Sequence, residues 1–458
     1  MAKYREEVLE VAEVNFPQKG IALLEGERVH FKGGLPGQFL RLGIKKKRGQ
    51  YEGKIIQLEK KSPLETEKGC SAFGRCGGCV YQSLPYETEG KLITEQLFRL
   101  YSAEFPKIEN LPVIFHPSPK ISSYRNKMEY TFGDEEKGGP LVLGLHEKNR
   151  FYSILDTKGC TIAPPDFERI RQSVSDYFRK RGTSFYHKMS KEGYLRHLML
   201  RMGGNTGEIL VNLYTTTQGE LQEEEFVQML LNLPLEGKIT GILHTHYDGL
   251  SDKTAADEEK VLYGRREFQD RLLGLTFNVS PYSFFQTNSK AAELLYSRVL
   301  DFAGEIQGER VYDLYSGTGT IAQIFALKAD FVQAVEIVPE AVETAKENAK
   351  RNGLTNIQFH TGDVMEFLKS LEGQPDVVII DPPREGIHPK SIEGILSYAP
   401  KRFVYVSCNP ITHVRDLKIF KMWGYKIARL EFVDMFPRTA NCEALTLLVK
   451  ESYEGKAL

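Results

Sequence analysis

Short apolar runs punctuated by glycine fill the amino-terminal stretch: Val8-Leu9-Glu10-Val11, Gly20-Ile21-Ala22-Leu23-Leu24, Val29-His30-Phe31, Gln38-Phe39-Leu40-Arg41-Leu42 and Tyr51-Glu52-Gly53-Lys54-Ile55-Ile56. Runs this short, with turn signals at near-regular spacing, predict a small antiparallel barrel over residues 1–62. Over 85–100 the pattern turns helical, with Leu92, Ile93, Gln96, Leu97 and Leu100 on one face, until Pro106 and Pro112 break it. From Tyr124 to Val279, strand patterns at 127–132, 141–145, 195–201 and 209–214 accompany helical ones at 167–181 and 221–233. Glycine turns such as Arg201-Met202-Gly203-Gly204-Asn205 predict an antiparallel sheet, so 63–274 reads as an α+β unit.

The last part of the chain reads differently. Ser283-Phe284-Phe285-Gln286-Thr287-Asn288 leads into a helix over 289–302, and 310–314 is a strand that ends in the loop Tyr315-Ser316-Gly317-Thr318-Gly319-Thr320, with a helix from Ile321. Further strands end at Glu336, at Asp363, at Asp381-Pro382-Pro383-Arg384 and at Ser407-Cys408-Asn409-Pro410. This predicts a Rossmann-like parallel sheet over 275–458, with ligands bound at the carboxyl ends of its strands. Glycines at the first turn let a ligand approach the backbone, and Glu336 stands where an acid binds ribose hydroxyls. A dinucleotide site wants another glycine three residues after Gly319; Ala322 stands there, so S-adenosylmethionine is favoured over a nicotinamide. Asp381 and Cys408 are expected in one crevice, against the blander readings of a turn cap and a small buried thiol.

Composition narrows the class. The 458 residues suggest about three domains, and 41% hydrophobic with 26% charged residues is a globular balance. Lys+Arg 60 against Asp+Glu 61 makes any basic surface a local one. Lys45, Lys46, Lys47 and Arg48 form such a patch on one hairpin, either a solvated turn or a phosphate-contacting loop. Tyr124-Arg125-Asn126-Lys127 and Arg196-His197 are weaker candidates for RNA phosphates. No apolar run approaches the length of a membrane crossing and no export signal opens the chain, which predicts a cytoplasmic location without membrane partner. Cys70, Cys76 and Cys79, with Cys160 as fourth, suit a tetrahedral zinc site or a four-iron cluster, and spacing leaves these open.

Phe285-Gln286-x-Asn288, the Asp313 to Gly319 loop, Asp381-Pro382-Pro383-Arg384, Ser407-Cys408-Asn409-Pro410 and a late Glu443 together resemble the RNA uracil-5-methyltransferases that use S-adenosylmethionine. The likeness spans essentially the whole chain: the barrel resembles a TRAM domain, an OB-like barrel, and Cys70, Cys76, Cys79 and Cys160 are similar to that family's 4Fe-4S site. It implies that Gln286, Tyr315, Glu336 and Asp381 contact the donor, with Asp363 near the adenine, and that the helix within 88–113 packs on the catalytic domain. It also implies an RNA substrate, 23S rRNA before tRNA, with no obligate protein partner.

Carbon 5 of uracil is a poor nucleophile. Addition of the Cys408 thiolate to carbon 6 makes the ring an enolate that can accept a methyl group, and a base must then remove the carbon 5 hydrogen. Glu443 is the candidate base, with Ala444 and Leu445 as apolar neighbours that raise its pKa. The family usually has histidine two residues before this glutamate; here Asn441 and Cys442 precede it, so either Asn441 supplies the lost hydrogen bond or Glu443 is a less secure assignment than Cys408, and Cys442 is expected to be a free thiol without a role rather than a second nucleophile. The competing readings are an amino-group methyltransferase built on Asp381-Pro382-Pro383, an electron-transfer role for the metal centre, and a non-catalytic RNA-binding module.

Overall fold

The computed structural model describes residues 4–250, 256–370 and 375–451; Met1-Ala2-Lys3, where an export signal would begin, lies outside them. β1 (Arg5–Asn15), β2 (Lys19–Leu24), β3 (Glu27–Lys32), β4 (Phe39–Lys47) and β5 (Gln50–Lys60) close into a barrel in the order β1-β2-β3-β5-β4. Its alternation buries Val11, Val14, Ala22, Val29, Leu40 and Leu42 inside. The β4–β5 turn puts Arg48 and Gly49 at φ 50° and 84°, the positive angles a two-residue hairpin needs. The basic hairpin is there, but Lys45 and Lys47 sit 3.6 Å from Glu52 and Lys46 sits 3.8 Å from Glu27.

Helix α1 (Tyr86–Ser102), a 3-10 turn (Pro106–Asn110) and strand β6 (Val113–His116) follow. The apolar face of α1, Ile93, Leu97 and Tyr101, is buried in one cluster with Tyr405 and Phe432 of the carboxy-terminal sheet and with Leu417 of the helix at Pro410–Met422. β6 pairs in parallel with a strand from that sheet, Leu430 opposite Val113. This amino-terminal piece therefore folds as part of the carboxy-terminal unit.

The central sheet contains β7 (Lys127–Gly133), β8 (Val142–Glu147), β9 (Arg150–Leu155), β10 (Leu195–Met202), β11 (Glu208–Thr215), β12 (Lys238–His246) and β13 (Glu258–Gly264), in the order β13-β12-β11-β10-β7-β8-β9. Helices α2 (Pro165–Lys180) and α3 (Glu223–Leu231) bury Phe167, Val174, Phe178, Phe226 and Leu230 against Leu198, Leu200 and Val211. The expected antiparallel sheet is corrected at one place: β11 and β12 are parallel. The reason is α3, which carries the chain back over the sheet between them, as a strand–helix–strand crossover must.

The hairpin β14 (Phe268–Leu272) and β15 (Leu275–Val279) packs Phe268, Leu272 and Phe277 into the carboxy-terminal core. After it come α4 (Ser289–Ala303), β16 (Arg310–Leu314), α5 (Thr320–Ala326), β17 (Phe331–Glu336), α6 (Pro339–Arg351), β18 (Ile357–Thr361), α7 (Val364–Lys369), β19 (Val377–Ile380), α8 (Pro389–Ser397), β20 (Arg402–Ser407), α9 (Pro410–Met422), β21 (Tyr425–Val433) and β22 (Glu443–Lys450). The sheet order is β18-β17-β16-β19-β20-β22-β21-β6, with β16 to β20 parallel and β22 antiparallel to both neighbours. Strands β19 and β20 are buried on both faces, the pattern of a sheet covered by helices on each side.

Candidate active site

Strand pairing decides what meets at the sheet mouth. Ile380 lies beside Tyr405 on parallel β19 and β20, so Asp381 and Cys408 leave adjacent strands at the same edge. On the other side Ser407 pairs with Ala444 across antiparallel β20 and β22, which sets Glu443 next to Cys408. The three groups feel one another. Burial pushes the Cys408 thiol up to about 12, with the charges of Glu443 and Asp381 adding and Arg384 opposing. Burial and then Asp381 lift Glu443 to about 8, and its Oε2 is buried with no hydrogen-bond partner. Burial lifts Asp381 to about 7. A buried acid near neutrality with an uncommitted oxygen is suited to taking up a proton.

Asn409 caps α9, its side chain accepting from the Ile411 amide, while its Nδ2 donates to the Arg384 carbonyl at 3.0 Å. The turn bearing Cys408 is thereby tied to the one bearing Asp381. Asn441 does not reach Glu443: its Oδ1 accepts from Arg384 at 3.3 Å. Of the two alternatives at Asn441, the observed bond does not favour a replacement for the histidine: it braces the Asp381 loop. Cys442 is fully buried, its thiol facing the Val433 carbonyl at 3.4 Å, and belongs to the core.

At the glycine loop Tyr315 takes φ 71°, Gly317 54° and Gly319 72°. A Cβ on Gly319 would lie 2.5 Å from Phe359, whereas one on Gly317 would meet nothing within 4 Å, so only Gly317 faces open space. Glu336 braces this loop: its Oε2 accepts from the Gly317 amide at 2.9 Å and its Oε1 from Val338 at 3.0 Å. Asp363 caps α7 through the Met365 amide at 2.8 Å. In the sequence, Asp313 stands only as the first residue of the glycine-loop motif, with no role assigned. It is 1% exposed, and burial with the nearby Asp381 and Glu336 holds it well above the usual range, only partly opposed by the Ala322 amide. A buried acid pair beside a glycine cradle fits a cationic, adenosine-bearing ligand.

Gln286 is buried beside Tyr296 of α4, whose phenol is raised by burial and by the charges of Asp381, Glu443 and Asp313. The Gln286 loop is held from the central sheet. Buried Arg201 donates through Nη1 to the carbonyls of Ser280, Pro281 and Ser283 at 2.7, 3.0 and 2.8 Å. Asn126 donates to the Gln286 carbonyl at 3.1 Å and to Ser289 Oγ at 2.9 Å. Within the two sequence candidates for RNA contact, Arg125 and Lys127 line the cavity beside Phe284, while the other side chains have structural partners. Tyr124 and Asn126 are buried braces, and Arg196, 3% exposed, spends its guanidinium on the Tyr247 and Gly249 carbonyls at 2.8 Å. His197 is buried as well.

Cys70, Cys76, Cys79 and Cys160 line one cavity of about 540 Å³, together with Arg201, Phe284 and Phe285. Burial raises the Cys76 and Cys160 thiols, and Cys79 up to about 12. Among the described residues no group of three or more His, Cys, Asp or Glu could hold a metal ion. A single zinc draws its sulfurs to about 2.3 Å from one centre. A four-iron cluster instead takes one sulfur on each of four irons, and four thiols on one cavity match the donor number of either group. No helix among the described residues is long and apolar enough to cross a membrane.

The profile of the tRNA (uracil-5-)-methyltransferase family matches residues 258–451. A Clostridium tetani protein named an uncharacterized RNA methyltransferase is 44% identical over 447 residues, covering 97% of this chain and 98% of its own. A protein of the same description from Caldanaerobacter subterraneus subsp. tengcongensis is 41% identical over 452 residues, covering 98% of this chain and all of its own. Among solved structures, the Pyrococcus abyssi tRNA (uracil-54, C5)-methyltransferase in complex with S-adenosyl-L-homocysteine is similar at TM-score 0.77 and 26% identity, covering 96% of this chain and 99% of that one. The chain belongs to the RNA uracil-5-methyltransferase family and is an S-adenosylmethionine-dependent enzyme of that family.

Proposed function

We propose that the enzyme methylates carbon 5 of a uridine in 23S rRNA through a transient bond between Cys408 Sγ and carbon 6 of the ring. The observation that carries this is the convergence of a thiol, Cys408, and a buried carboxyl with a free oxygen, Glu443, at the mouth that also holds Asp381. Bound S-adenosylmethionine supplies an electrophilic methyl group and leaves as the homocysteine form. Gln286, Tyr315, Glu336, Asp363 and Asp381 are the proposed donor contacts.

Cys408 acts as its thiolate: the sulfur adds to carbon 6, the electron pair of the 5,6 double bond passes into the carbonyl, and carbon 5 becomes the nucleophile. After methyl transfer Glu443 accepts the carbon 5 proton, the double bond re-forms, and the carbon–sulfur bond breaks to return the thiolate. The target base has to leave its stack, at a cost of a few kcal/mol that RNA contacts elsewhere must offset. The Lys45 to Arg48 hairpin is one proposed contact. Cys70, Cys76, Cys79 and Cys160 are proposed to hold a 4Fe-4S cluster with a structural role, on the strength of their shared cavity.

A tRNA target is the second reading. The similar Pyrococcus abyssi enzyme acts, by its description, on a tRNA uridine, and its match extends over 96% of this chain, so a barrel in this position does not point to rRNA alone. The test is incubation of the protein and labelled donor with RNA from cells lacking the gene, followed by mapping. Label on 23S rRNA carbon 5 supports the first reading, label on tRNA the second, and label on an exocyclic amine overturns both.

A further inference from the structure

Helices α2 and α3 cover one face of the central sheet. On the other face Lys127, Glu129 and Thr131 of β7 stand opposite Arg201, Met199 and His197 of β10, because every second residue of a strand shares a face. One end of this row, Lys127, Glu129 and Arg201, enters the cysteine cavity beside Phe284. The other end, Thr131 and His197, enters a second cavity of about 780 Å³. Four residues of strand, about 13 Å, separate Arg201 from His197.

The second cavity is lined by aromatic side chains that methyl transfer does not need. The rings of Phe185 and His187 lie 4.3 Å apart, and the Arg196 guanidinium sits 4.4 Å from the Tyr186 ring. Tyr152 and Met189 remain 63% and 80% exposed, with Tyr152 Oη 3.6 Å from Met189 Sδ. Exposed aromatic and sulfur groups around a concavity mark a binding site. Lys137, Arg150 and Lys188 also line it. Three acids share the lining: Glu135 pairs with Arg75 at 2.7 Å, Asp134 accepts from the Gly138 amide at 2.8 Å, and Glu136 stands beside Lys137 in the chain. Rings for stacking with cations nearby suit single-stranded nucleic acid.

We propose that this cavity receives an unstacked base of the same RNA, a few nucleotides from the methylated uridine. The proposal rests on the RNA-methyltransferase reading, since the partly exposed β7 row Lys127, Glu129 and Thr131 runs from this cavity to the one lined by Phe284 and Phe285. The occupant is part of a polynucleotide.

The test uses the full chain and 4-thiouridine-labelled RNA from cells lacking the gene. The double variant Y152A/H187A changes exposed side chains, so its melting temperature and its affinity for S-adenosylmethionine should equal those of the wild type. Its RNA affinity should fall roughly tenfold, the loss expected for one stacked base. Photo-crosslinks in wild type should include peptides spanning 150–153 or 185–189. Unchanged RNA affinity in the variant overturns the proposal, and displacement of the crosslinks by micromolar mononucleotides would assign the cavity to a free nucleotide instead. Methyl transfer by wild type to the same RNA is scored separately. Affinity loss without any methylation leaves the cavity standing and sinks the catalytic reading; methylation with unchanged affinity does the reverse.

Discussion

Glu443 stands beside Cys408 because Ser407 pairs with Ala444, and its charge opposes ionisation of the thiol. A carboxyl lifted to about 8 from an ordinary 4.5 binds its proton more tightly folded than unfolded. Its contribution to stability is therefore complete below about pH 4.5 and is lost as pH rises through about 8. Asp381, lifted to about 7, has the same sign. Glu443→Gln keeps the shape and removes the titration. In thermal melts without ligand the variant should match wild type near pH 5 and exceed it by a few degrees near pH 8.5. Parallel curves across this range would contradict the burial of an ionisable Glu443.

A sulfonium cation placed in this mouth should lower the carboxyl pKa values by roughly 1–3 units, typical of an opposite charge at close range. S-adenosylmethionine binding at pH 7.5 is then expected to release about half a proton or more, while S-adenosylhomocysteine, whose sulfur is a neutral thioether, releases less. Calorimetry in buffers of different ionisation enthalpy measures both. Equal proton counts for the two ligands would place the sulfonium away from Asp381 and Glu443.

If the four cysteines hold a cluster, the protein purified without oxygen contains iron and sulfide together. Cys79→Ser should lower both and drop the melting temperature by several degrees, since a group bound only by the folded state stabilises it. Donor affinity should be unaffected. Zinc in place of iron and sulfide would refute the cluster.

Replacing Lys45, Lys46, Lys47 and Arg48 by alanine should weaken RNA binding and flatten its salt dependence by roughly one unit of slope for each phosphate no longer neutralised. The neighbouring Glu27 and Glu52 already neutralise part of the patch, so a reduction smaller than four is expected. An unchanged slope would leave the hairpin a solvated turn.

Much of the fold is legible in the sequence where its signals are local. The tips of β19 and β20 follow short apolar buried runs, and two such runs read as parallel neighbours bring Asp381 and Cys408 to one edge of the sheet. The parallel pairing of β11 and β12 is legible too, in the strand–helix–strand order around α3, but the glycine turns elsewhere outweigh it. Other features depend on distant partners. β6 is four residues long and owes its place to β21, some three hundred positions later, so no local pattern reveals it. Arg201 reads as an exposed strand end beside a glycine turn, yet three carbonyls of the 280–283 loop bury it. Asp313 opens the glycine-loop motif in the sequence, but its complete burial at the end of an apolar strand depends on the neighbouring strands.

The central claim is covalent. With RNA carrying 5-fluorouridine and S-adenosylmethionine, carbon 5 keeps no removable hydrogen after methyl transfer, so the Cys408 bond cannot be released. Wild type should give a stable protein–RNA band whose crosslinked peptide contains Cys408, and Glu443→Gln should build up the same adduct on ordinary uridine RNA while turnover falls by a factor of about 10²–10⁴. Cys408→Ala that still methylates carbon 5, or a fluorinated RNA that is methylated and released without any adduct, would contradict the account.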